Sequence, residues 1–574
     1  MNDVDRILAL SGRAAEVDLT DRFRRRSGKL RLRPVQSQIL LEAYRSQGLV
    51  GFVPVGAGKT LAFFLLPWVL EAERPLLLIP ASVRVQCIAD WAHYGRHFNL
   101  PSSLNVRSYA ELSRQPKLLS ELRPDAILCD ECQRLSNPDS TRTKRLGRYV
   151  AKHHPKLVGM SGTMTTNSVE DFEHLMRWAL RDGTPLPLVG SMRRSWFAVL
   201  SRSGKPTERD VRSLGRLVAR YKAKSPRDAF ASRLRDCKGV VHMADASPPA
   251  RLVMASRKVE VPDVVQAALD GLATDWSTPG GDELDSILSY MGVRSQIACG
   301  FYYIWDWPGQ PDTAWLQARN NWNCAVRRFL SRGAEGLDSP ALVRRACERL
   351  SQGEVRVRLP KSLMDAFLEW RPLMGRDPPP LRARWLSDYL VEDIERWVAE
   401  QRDPPLVWYG HHALGVRASK LLGLPMSGAG DKAAQVLAGA GSAHARLVSV
   451  PAHHYGKNLQ LWGNQLIAHP IPTGALWEQM LGRTHRANQL RDEVLATYYD
   501  FGPFEENFLV ARRGARYIEE TTGQRQRLNY ADYLDPAAAS WASEQDAEAV
   551  AVAVSGPDSG SPVGPGLVPE VEAG

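Results

Sequence analysis

The stretch 53–60, V-P-V-G-A-G-K-T, constrains the fold of this chain more than any other. It follows an apolar run over 49–52, which predicts a buried strand, and it precedes another over 61–70, which predicts a buried helix. A strand, a glycine-rich turn and a helix form a phosphate cradle, because the N–H groups of the turn and the positive end of the helix point at the same place. The stretch therefore predicts a nucleotide-binding loop in an α/β domain.

The residues of this loop have separate expected tasks. Lys59 is expected to reach the β- and γ-phosphates, and the Thr60 hydroxyl is expected to bind Mg²⁺. The strict pattern has glycine six residues before the lysine, where this chain has Val53, so a glycine turn with an incidental lysine is the alternative interpretation. Further contacts to the phosphates are expected from Val55, Gly56, Ala57 and Gly58.

Length and composition limit the classes of protein. The chain has 574 residues, 44% of them hydrophobic, which suits roughly three or four folded units. No apolar run approaches the roughly 20 residues needed to cross a bilayer, and the first residues lack the basic head of a signal peptide. Seven cysteines, an odd number in a long chain, favour a reducing compartment. Cys129 and Cys132 form a C-x-x-C without a second pair at zinc spacing, so we expect them to be packing residues.

Positive charge is concentrated in the body of the chain. The net charge is +11, and the segment from Asp535 to the end has seven acidic residues and no Lys or Arg, so the rest carries about +18. Such an excess suits a polyanion such as DNA, with arginine-rich composition as the alternative explanation. The Ala-, Gly-, Pro- and Ser-rich tail over 536–574 is predicted to be disordered.

A strand over 125–129 brings two carboxylates to its end. Because ligands bind at the carboxyl ends of parallel strands, Asp130 is expected to hold Mg²⁺ and Glu131 to polarise the attacking water. A nuclease is the alternative interpretation, but the lysine that such a site needs is Gln133 here.

Other polar residues lie at strand ends or helix starts. Gln36 opens a helix ahead of the phosphate loop and is expected to hydrogen-bond the adenine edge. Two further strand ends are expected to contact a sugar-phosphate chain, and one polar turn is expected to sense the γ-phosphate. The strand-end residues are Ser82, Ser108 and Tyr109, and the turn comprises Ser161, Gly162 and Thr163.

A second α/β unit is predicted from about residue 405. Its stretch 479–489 places Gln479, Arg483 and Arg486 at i, i+4 and i+7, which is one face of a helix. Two guanidiniums on one face are expected to clamp the γ-phosphate across a cleft as arginine fingers; a solvated basic face is the alternative. Tryptophans 305, 307, 315 and 322 in the middle of the chain are expected to be core rather than base-stacking residues.

The predicted fold class is α/β, with two parallel-sheet domains and a largely helical insertion between them. The predicted units are 1–30, an extension with a basic arm; 31–180, the nucleotide-binding domain; 181–404, the insertion; 405–535, the second α/β domain; and 536–574, the acidic tail.

Six motifs in this order resemble those of superfamily-two helicases, and within them the Swi/Snf-type translocases of double-stranded DNA. The last motif is the most specific, and the resemblance covers about 30–180 and 405–510. The motifs are L-R-P-V-Q at 32–36, G-A-G-K-T at 56–60, D-E-C-Q at 130–133, S-G-T at 161–163, G-K-N-L-Q at 456–460 and Q-M-L-G-R-T-H-R-A-N-Q at 479–489.

This resemblance implies two RecA-like domains that clamp ATP and track along duplex DNA. It implies a nucleotide contact for Gly456 and coupling roles for Gln133 and for the turn 161–163. The family usually has histidine where Gln133 stands, so the coupling through this residue is left open. The compact size is typical of a bacterial or phage member, which implies the cytoplasm of a bacterial or phage-infected host cell.

The predicted function is that of an ATP-dependent DNA translocase or helicase, with ATP and Mg²⁺ as cofactors and duplex DNA as the preferred partner. Protein partners of a replication, repair or defence complex are a further expectation. Two alternatives are a nucleic-acid-binding scaffold with a vestigial ATPase and the motor subunit of a restriction or defence complex.

Overall fold

The computed structural model describes most of the chain, and its two large sheets are fully parallel. The predicted fold class, α/β with two parallel-sheet domains, is confirmed. The predicted tail over 536–574 lies outside the described residues. The described residues are 3–54, 56–243, 250–282, 284, 286–331, 337, 340–353, 358–376, 379–428, 444–453, 458–486 and 489–535.

The first unit is built on a six-stranded sheet with the strand order β3-β2-β4-β5-β1-β6. Both faces of the sheet are covered, because alternate residues of a strand point to opposite faces and each set is apolar. In the central strand, Ile127 and Cys129 join one core, and Ala126 and Leu128 join the other. The strands are β1 Leu49–Phe52, β2 Pro75–Ile79, β3 Asn105–Ser108, β4 Ala126–Asp130, β5 Lys156–Ser161 and β6 Val240–His242.

Thirteen α-helices lie in the described part of this unit, with short 3₁₀ turns at Ala81–Val83, Cys132–Leu135 and Arg181–Gly183. The helices are α1 Asp3–Ala9, α2 Thr20–Phe23, α3 Pro34–Ser46, α4 Lys59–Val69, α5 Arg84–Tyr94, α6 Tyr109–Arg114, α7 Leu118–Leu122, α8 Thr141–His153, α9 Glu170–Leu180, α10 Gly190–Leu200, α11 Glu208–Ser213, α12 Gly215–Tyr221 and α13 Pro226–Asp236.

The strands divide the chain differently from the predicted bounds. β6 pairs with β1, and α10, α12 and α13 contribute buried residues to the core of the first unit, so this unit extends to about residue 243 rather than 180. The next strand, β7 Arg251–Arg257, already belongs to the second sheet. Short strands carry little periodic signal, and the partners of β6 and β7 are remote in sequence, which explains the wrong boundary.

The N-terminal segment is also part of the first unit. Val4 and Ile7 of α1 are buried in its core. The basic stretch 22–29 is fixed by backbone hydrogen bonds to 97–99, including one of 2.9 Å from the Arg25 N–H to the His97 carbonyl. The predicted extension is therefore docked along its described length.

The second unit has a seven-stranded sheet with the order β11-β12-β10-β13-β14-β7-β15. Its remaining strands are β10 Leu406–Tyr409, β11 Met426–Ser427, β12 Arg446–Ser449, β13 Asn464–Ile467, β14 Glu493–Tyr499 and β15 Asp532–Tyr533. A separate antiparallel hairpin consists of β8 Phe301–Trp305 and β9 Leu381–Trp385. The helices are α14 Asp263–Asp275, α15 Ile287–Ala298, α16 Thr313–Ser331, α17 Pro340–Ser351, α18 Lys361–Trp370, α19 Tyr389–Glu400, α20 His412–Leu422, α21 Val450–His453, α22 Gly474–Thr484, α23 Gly502–Thr522 and α24 Arg527–Tyr530, with a 3₁₀ turn at Arg371–Leu373.

The insertion between β7 and β10 has two parts. Helices α14, α15 and α19 cover one face of the second sheet. Helices α16–α18 form a small outlying core of their own. Trp315 and Trp322 are only 3% and 6% exposed, and Trp305 and Trp307 pack edge-on against Trp315. The core interpretation therefore fits Trp315 and Trp322, whereas Trp305 and Trp307 are only half-buried.

All seven cysteines are free thiols, and Cys129 and Cys132 are buried in the core of the first unit. Among the described helices, none has the length and apolar character that a membrane span requires.

Candidate nucleotide site

The predicted phosphate loop follows β1 and ends at α4. Gly56 and Gly58 have φ angles of +88° and +86°, a region that glycine adopts without steric cost. Val55, another predicted contact, lies outside the described residues. Ala57 is buried between the two glycines. The loop therefore has the turn that its glycine spacing predicts.

Lys59 is the first residue of α4 and is only 8% exposed. Its ammonium donates hydrogen bonds to the carbonyls of Val53 at 2.9 Å and Pro54 at 3.2 Å. The same Nζ lies 3.9 Å from Oε1 of Glu131. Thr60 follows on the helix and is half-buried. The lysine thus links the loop to the carboxylates at the end of β4.

Asp130 ends β4, and Glu131 follows it with a φ of +51°. Burial raises the pKa of Asp130 to about 7, and the neighbouring Glu131 adds to this rise. The positive charges of Lys59 and Arg483 act in the opposite direction. Asp130 is therefore a carboxylate whose charge is incompletely compensated by the protein around it.

The donor set fits a magnesium ion that also binds a nucleotide. A carboxylate and a hydroxyl, those of Asp130 and Thr60, are the hard oxygen ligands that Mg²⁺ prefers. Protein sites of this kind supply only one or two ligands, the others being phosphate oxygens and water. Among the described residues, no group of three or more His, Cys, Asp or Glu is arranged to hold a metal.

Helix α22 of the second unit faces this site. The side-chain amide of Gln479 donates a 3.1 Å hydrogen bond to the Thr163 hydroxyl of the first unit. Arg483, on the next turn, is 3% exposed and acts electrostatically on Asp130. The structure therefore brings Arg483 near Asp130 and Gln479 to the turn 161–163 of the first unit.

Arg486 reaches the site by a different route from the predicted one. Helix α22 ends at Thr484, so Arg486 is not on the helical face of Gln479 and Arg483. It lies against the phosphate loop: a Cβ placed on Gly56 would be 3.3 Å from Cβ and 3.6 Å from Nε of Arg486. Its guanidinium donates to the side-chain oxygen of Asn458. Burial, together with the nearby charges of Arg33 and Arg527, lowers the pKa of Arg486 to about 10.

The end of α22 is set by residues that sequence reasoning missed. The Arg527 guanidinium donates to the His485 carbonyl at 2.9 Å, and Gln489 donates to the Thr484 carbonyl at 3.0 Å. These bonds satisfy carbonyls that a helix end leaves without partners. Arg527 is held in turn by a buried ion pair with Glu478. No local signal marks this contact, because Arg527 lies 42 residues beyond His485.

Gln36 lies beside the phosphate loop and is 3% exposed. Its amide donates to the Gly58 carbonyl at 2.8 Å, and its oxygen accepts from the Arg33 backbone N–H at 2.7 Å. The Arg33 guanidinium donates to the Gly56 carbonyl at 2.8 Å. Both residues thus hold the loop, a role the sequence reasoning did not assign, and adenine recognition by Gln36 stays a prediction.

Two residues of α5 complete the surroundings of Arg486. Asp90 and Tyr94 both interact electrostatically with its guanidinium. Burial raises the pKa of Asp90, and Arg486 opposes that rise. The amide of Gln86 donates to Asp90 at 2.7 Å. The sequence does not predict this position for Asp90, because polar residues are expected on the exposed side of any amphipathic helix.

The predicted coupling residues divide into two groups. The Thr163 N–H donates to the Ser161 hydroxyl at 2.9 Å, so the turn with Gly162 is ordered where it meets Gln479. Gln133 instead donates to Oε2 of Glu131 at 2.9 Å, within the first unit.

The predicted nucleic-acid contacts are corrected in part. Ser82 is exposed after β2. Ser108 is 5% exposed and caps α6, whereas Tyr109 is 4% exposed and donates to the Asp130 carbonyl at 2.8 Å. The prediction that Ser108 and Tyr109 touch a sugar-phosphate chain is wrong for these buried side chains. Gly456, a predicted nucleotide contact, lies outside the described residues.

Comparison with known proteins gives a limited result. No protein-family model matches the chain, and no curated protein matches it. Among solved structures, one to which the chain is similar is the SWI2/SNF2 ATPase core of Sulfolobus solfataricus in complex with double-stranded DNA. The alignment has 13% identity and a TM-score of 0.30, and it covers 82% of this chain and 88% of that chain. A likeness at this TM-score says nothing about the function of this chain.

Proposed function

We propose that the protein is an ATP-dependent DNA translocase or helicase, whose ATP site lies between its two units. The observation that carries the proposal is the position of Arg486 of the second unit against Gly56 of the phosphate loop. A phosphate loop on one unit and guanidiniums from the other are the parts that ATP hydrolysis across a cleft requires.

The site residues have distinct tasks in this proposal. Lys59 binds the β- and γ-phosphates, and Glu131 accepts the proton of the attacking water. Arg483 and Arg486 stabilise negative charge that develops on the transferred phosphoryl group. Asp130 and Thr60 would hold Mg²⁺, which supplies charge neutralisation when bound. Gln133 orients the Glu131 carboxylate through their 2.9 Å hydrogen bond.

DNA is the proposed partner because of charge. The chain before Asp535 carries about +18. Binding through phosphates makes the logarithm of affinity fall linearly with the logarithm of salt concentration, with weak sequence preference. A nearly flat salt dependence would contradict a phosphate-tracking surface.

The scaffold alternative keeps DNA binding and lacks hydrolysis. The decisive experiment measures ATP turnover without nucleic acid and with duplex DNA, single-stranded DNA and RNA in parallel. We expect turnover that duplex DNA stimulates most. DNA binding without turnover would favour the scaffold, and turnover that no nucleic acid changes would contradict a DNA motor.

A further inference from the structure

A second contact between the units lies away from the nucleotide site. There α13 of the first unit packs against α23 of the second. Three arginines meet at this contact: Arg202, which follows α10; Arg227, in the first turn of α13; and Arg513, within α23. We call them the interface arginines.

Arg202 is fixed by its backbone. Its N–H donates to the Asn167 carbonyl at 2.8 Å, and the preceding Ser201 hydroxyl lies 2.8 Å from that of Ser168. From there its side chain crosses to the second unit: a Cβ placed on Gly514 would be 3.7 Å from Nη1 of Arg202. The Arg202 guanidinium therefore lies against α23 at Gly514, and the charge of the adjacent Arg513 acts on it.

Arg513 shares one face of α23 with Tyr517 and Glu520, since residues at i, i+4 and i+7 align on a helix. That face points at the first unit. The Arg227 guanidinium lies over the Tyr517 ring, 5.1 Å from its centroid. An Arg227 nitrogen also lies 3.6 Å from a Glu520 oxygen.

The charges at this contact do not balance. Arg227 forms an ion pair with Glu520. Among the described residues, however, no carboxylate lies within ion-pair distance of Arg202 or Arg513. Asp171, which acts on nearby Tyr517, already accepts from the Thr165 hydroxyl at 2.8 Å and the Thr166 N–H at 3.2 Å. Burial lowers the pKa of Arg202, with Arg513 adding to it, and burial lowers that of Arg513 as well. Guanidinium stays charged nonetheless, so two half-buried cations face each other.

We propose that Arg202 and Arg513 form an anion site between the two units and that its ligand is a phosphate group. A guanidinium presents paired donors that match phosphate oxygens, and an anion between the two removes their mutual repulsion. Because each unit supplies one arginine, an occupied site holds the units together at α23. The ligand chemistry is shared by a phosphodiester of the DNA backbone and by free inorganic phosphate.

The test compares two double variants of the full chain that lose the same charge. The site variant is Arg202→Gln with Arg513→Gln. The control is Arg209→Gln with Arg212→Gln on α11, where both arginines are exposed. Duplex DNA affinity is measured over a range of salt concentrations, and thermal unfolding is measured with and without inorganic phosphate.

We expect the site variant to bind duplex DNA about 10-fold more weakly than the control, with a salt slope smaller by about 1. If its DNA affinity equals that of the control but phosphate no longer raises its Tm as in the wild type, the ligand is free phosphate. Equality with the control in both measurements overturns the proposal.

A single variant and a turnover measurement distinguish these outcomes from one another. The single variant Arg513→Gln repeats both measurements if the double variant does not fold. ATP turnover of the same wild-type preparation is recorded alongside. A wild type without turnover would contradict the proposed function. The anion-site result could still be interpreted, because neither the DNA-affinity nor the thermal-unfolding measurement depends on hydrolysis.

Discussion

The side-chain amide of Gln479 donates a hydrogen bond of 3.1 Å to the hydroxyl of Thr163, which lies 316 residues earlier in the chain. Both residues are almost fully buried, with exposures of 2% and 3%. The bond joins α22 to the turn after β5, close to the phosphate loop and its carboxylates. In this structure the two units are therefore closed against each other at this site.

We predict that Thr163→Val weakens this closure. Valine keeps the shape of threonine but leaves the Gln479 amide without its acceptor, a loss of about 1–3 kcal/mol for a buried group. Turnover with duplex DNA should fall roughly 10-fold, while ATP binding changes little. Thr274→Val, on the exposed side of α14, is the matched control and should behave as the wild type. Equal turnover in both variants would mean that the contact does not support catalysis.

Lys59→Ala should nearly abolish turnover, because it removes the cation expected at the phosphates. Glu131→Gln should retain ATP binding and stall the chemistry, since an amide cannot accept the water's proton. Both are measured by phosphate release and by binding of a fluorescent ATP analogue. Wild-type turnover in Lys59→Ala would rule out the phosphate-loop assignment, and wild-type turnover in Glu131→Gln would place the base elsewhere.

Arg486→Ala should leave ATP binding largely intact and reduce DNA-stimulated turnover by about 10³–10⁵-fold, the range for arginine fingers. Arg486→Lys should restore little, because an ammonium lacks the planar pair of donors. Arg212→Ala, which removes an exposed guanidinium, is the control. A loss of only a few-fold in folded Arg486→Ala would show that the two units do not share a catalytic site.

The Arg527–Glu478 pair should matter for both stability and turnover. Arg527→Gln strands a buried carboxylate, so the free energy of unfolding should fall by about 3–5 kcal/mol. Adding Glu478→Gln removes that charge and should restore part of the stability. If the guanidinium also positions Arg486 by capping the His485 carbonyl, the double variant keeps a low kcat with an unchanged KM for ATP. If the double variant recovered kcat together with stability, the Arg527–Glu478 pair would have a purely structural role.

His242 should make the fold sensitive to acid. Its ring stacks on Phe52 at 4.5 Å, and neither ring nitrogen has a hydrogen-bond partner among the described residues. Burial lowers its pKa to about 3, with Arg13 adding to the effect. Unfolded histidine binds a proton near pH 6.5, so this contribution to stability is present above about pH 6.5 and is lost as the pH falls towards 3.

At pH 5 the expected loss is about 2 kcal/mol. The variant His242→Phe keeps the stacked ring and cannot be protonated. Between about pH 7.5 and pH 5, its free energy of unfolding should therefore fall by about 2 kcal/mol less than that of the wild type. Urea unfolding of both proteins at the two pH values measures the difference. The same loss in both proteins would show that other groups cause the acid sensitivity.

Local sequence accounts for the parts of the site that come from one short stretch. The strand, turn and helix of 49–70 follow from two apolar runs and two glycines, and the carboxylates follow from the strand that ends at Asp130. The position of the Tyr109 side chain could not be predicted from local sequence. A residue at a strand end can face either the ligand or the core, and that choice depends on packing that no local pattern contains.

Local patterns in the sequence predict the two α/β units, the phosphate loop, the pair Asp130 and Glu131, and an arginine-rich motif far along the chain. The position of Arg486 against Gly56, beyond the end of its helix and bonded to Asn458, follows from the tertiary structure alone. The tertiary structure also decided that the units divide near residue 243 and that Arg202 meets Arg513. The physical reason is that periodicity and turn chemistry act over a few residues, whereas ion pairs, helix caps and strand pairings are selected by burial among groups that only folding brings together.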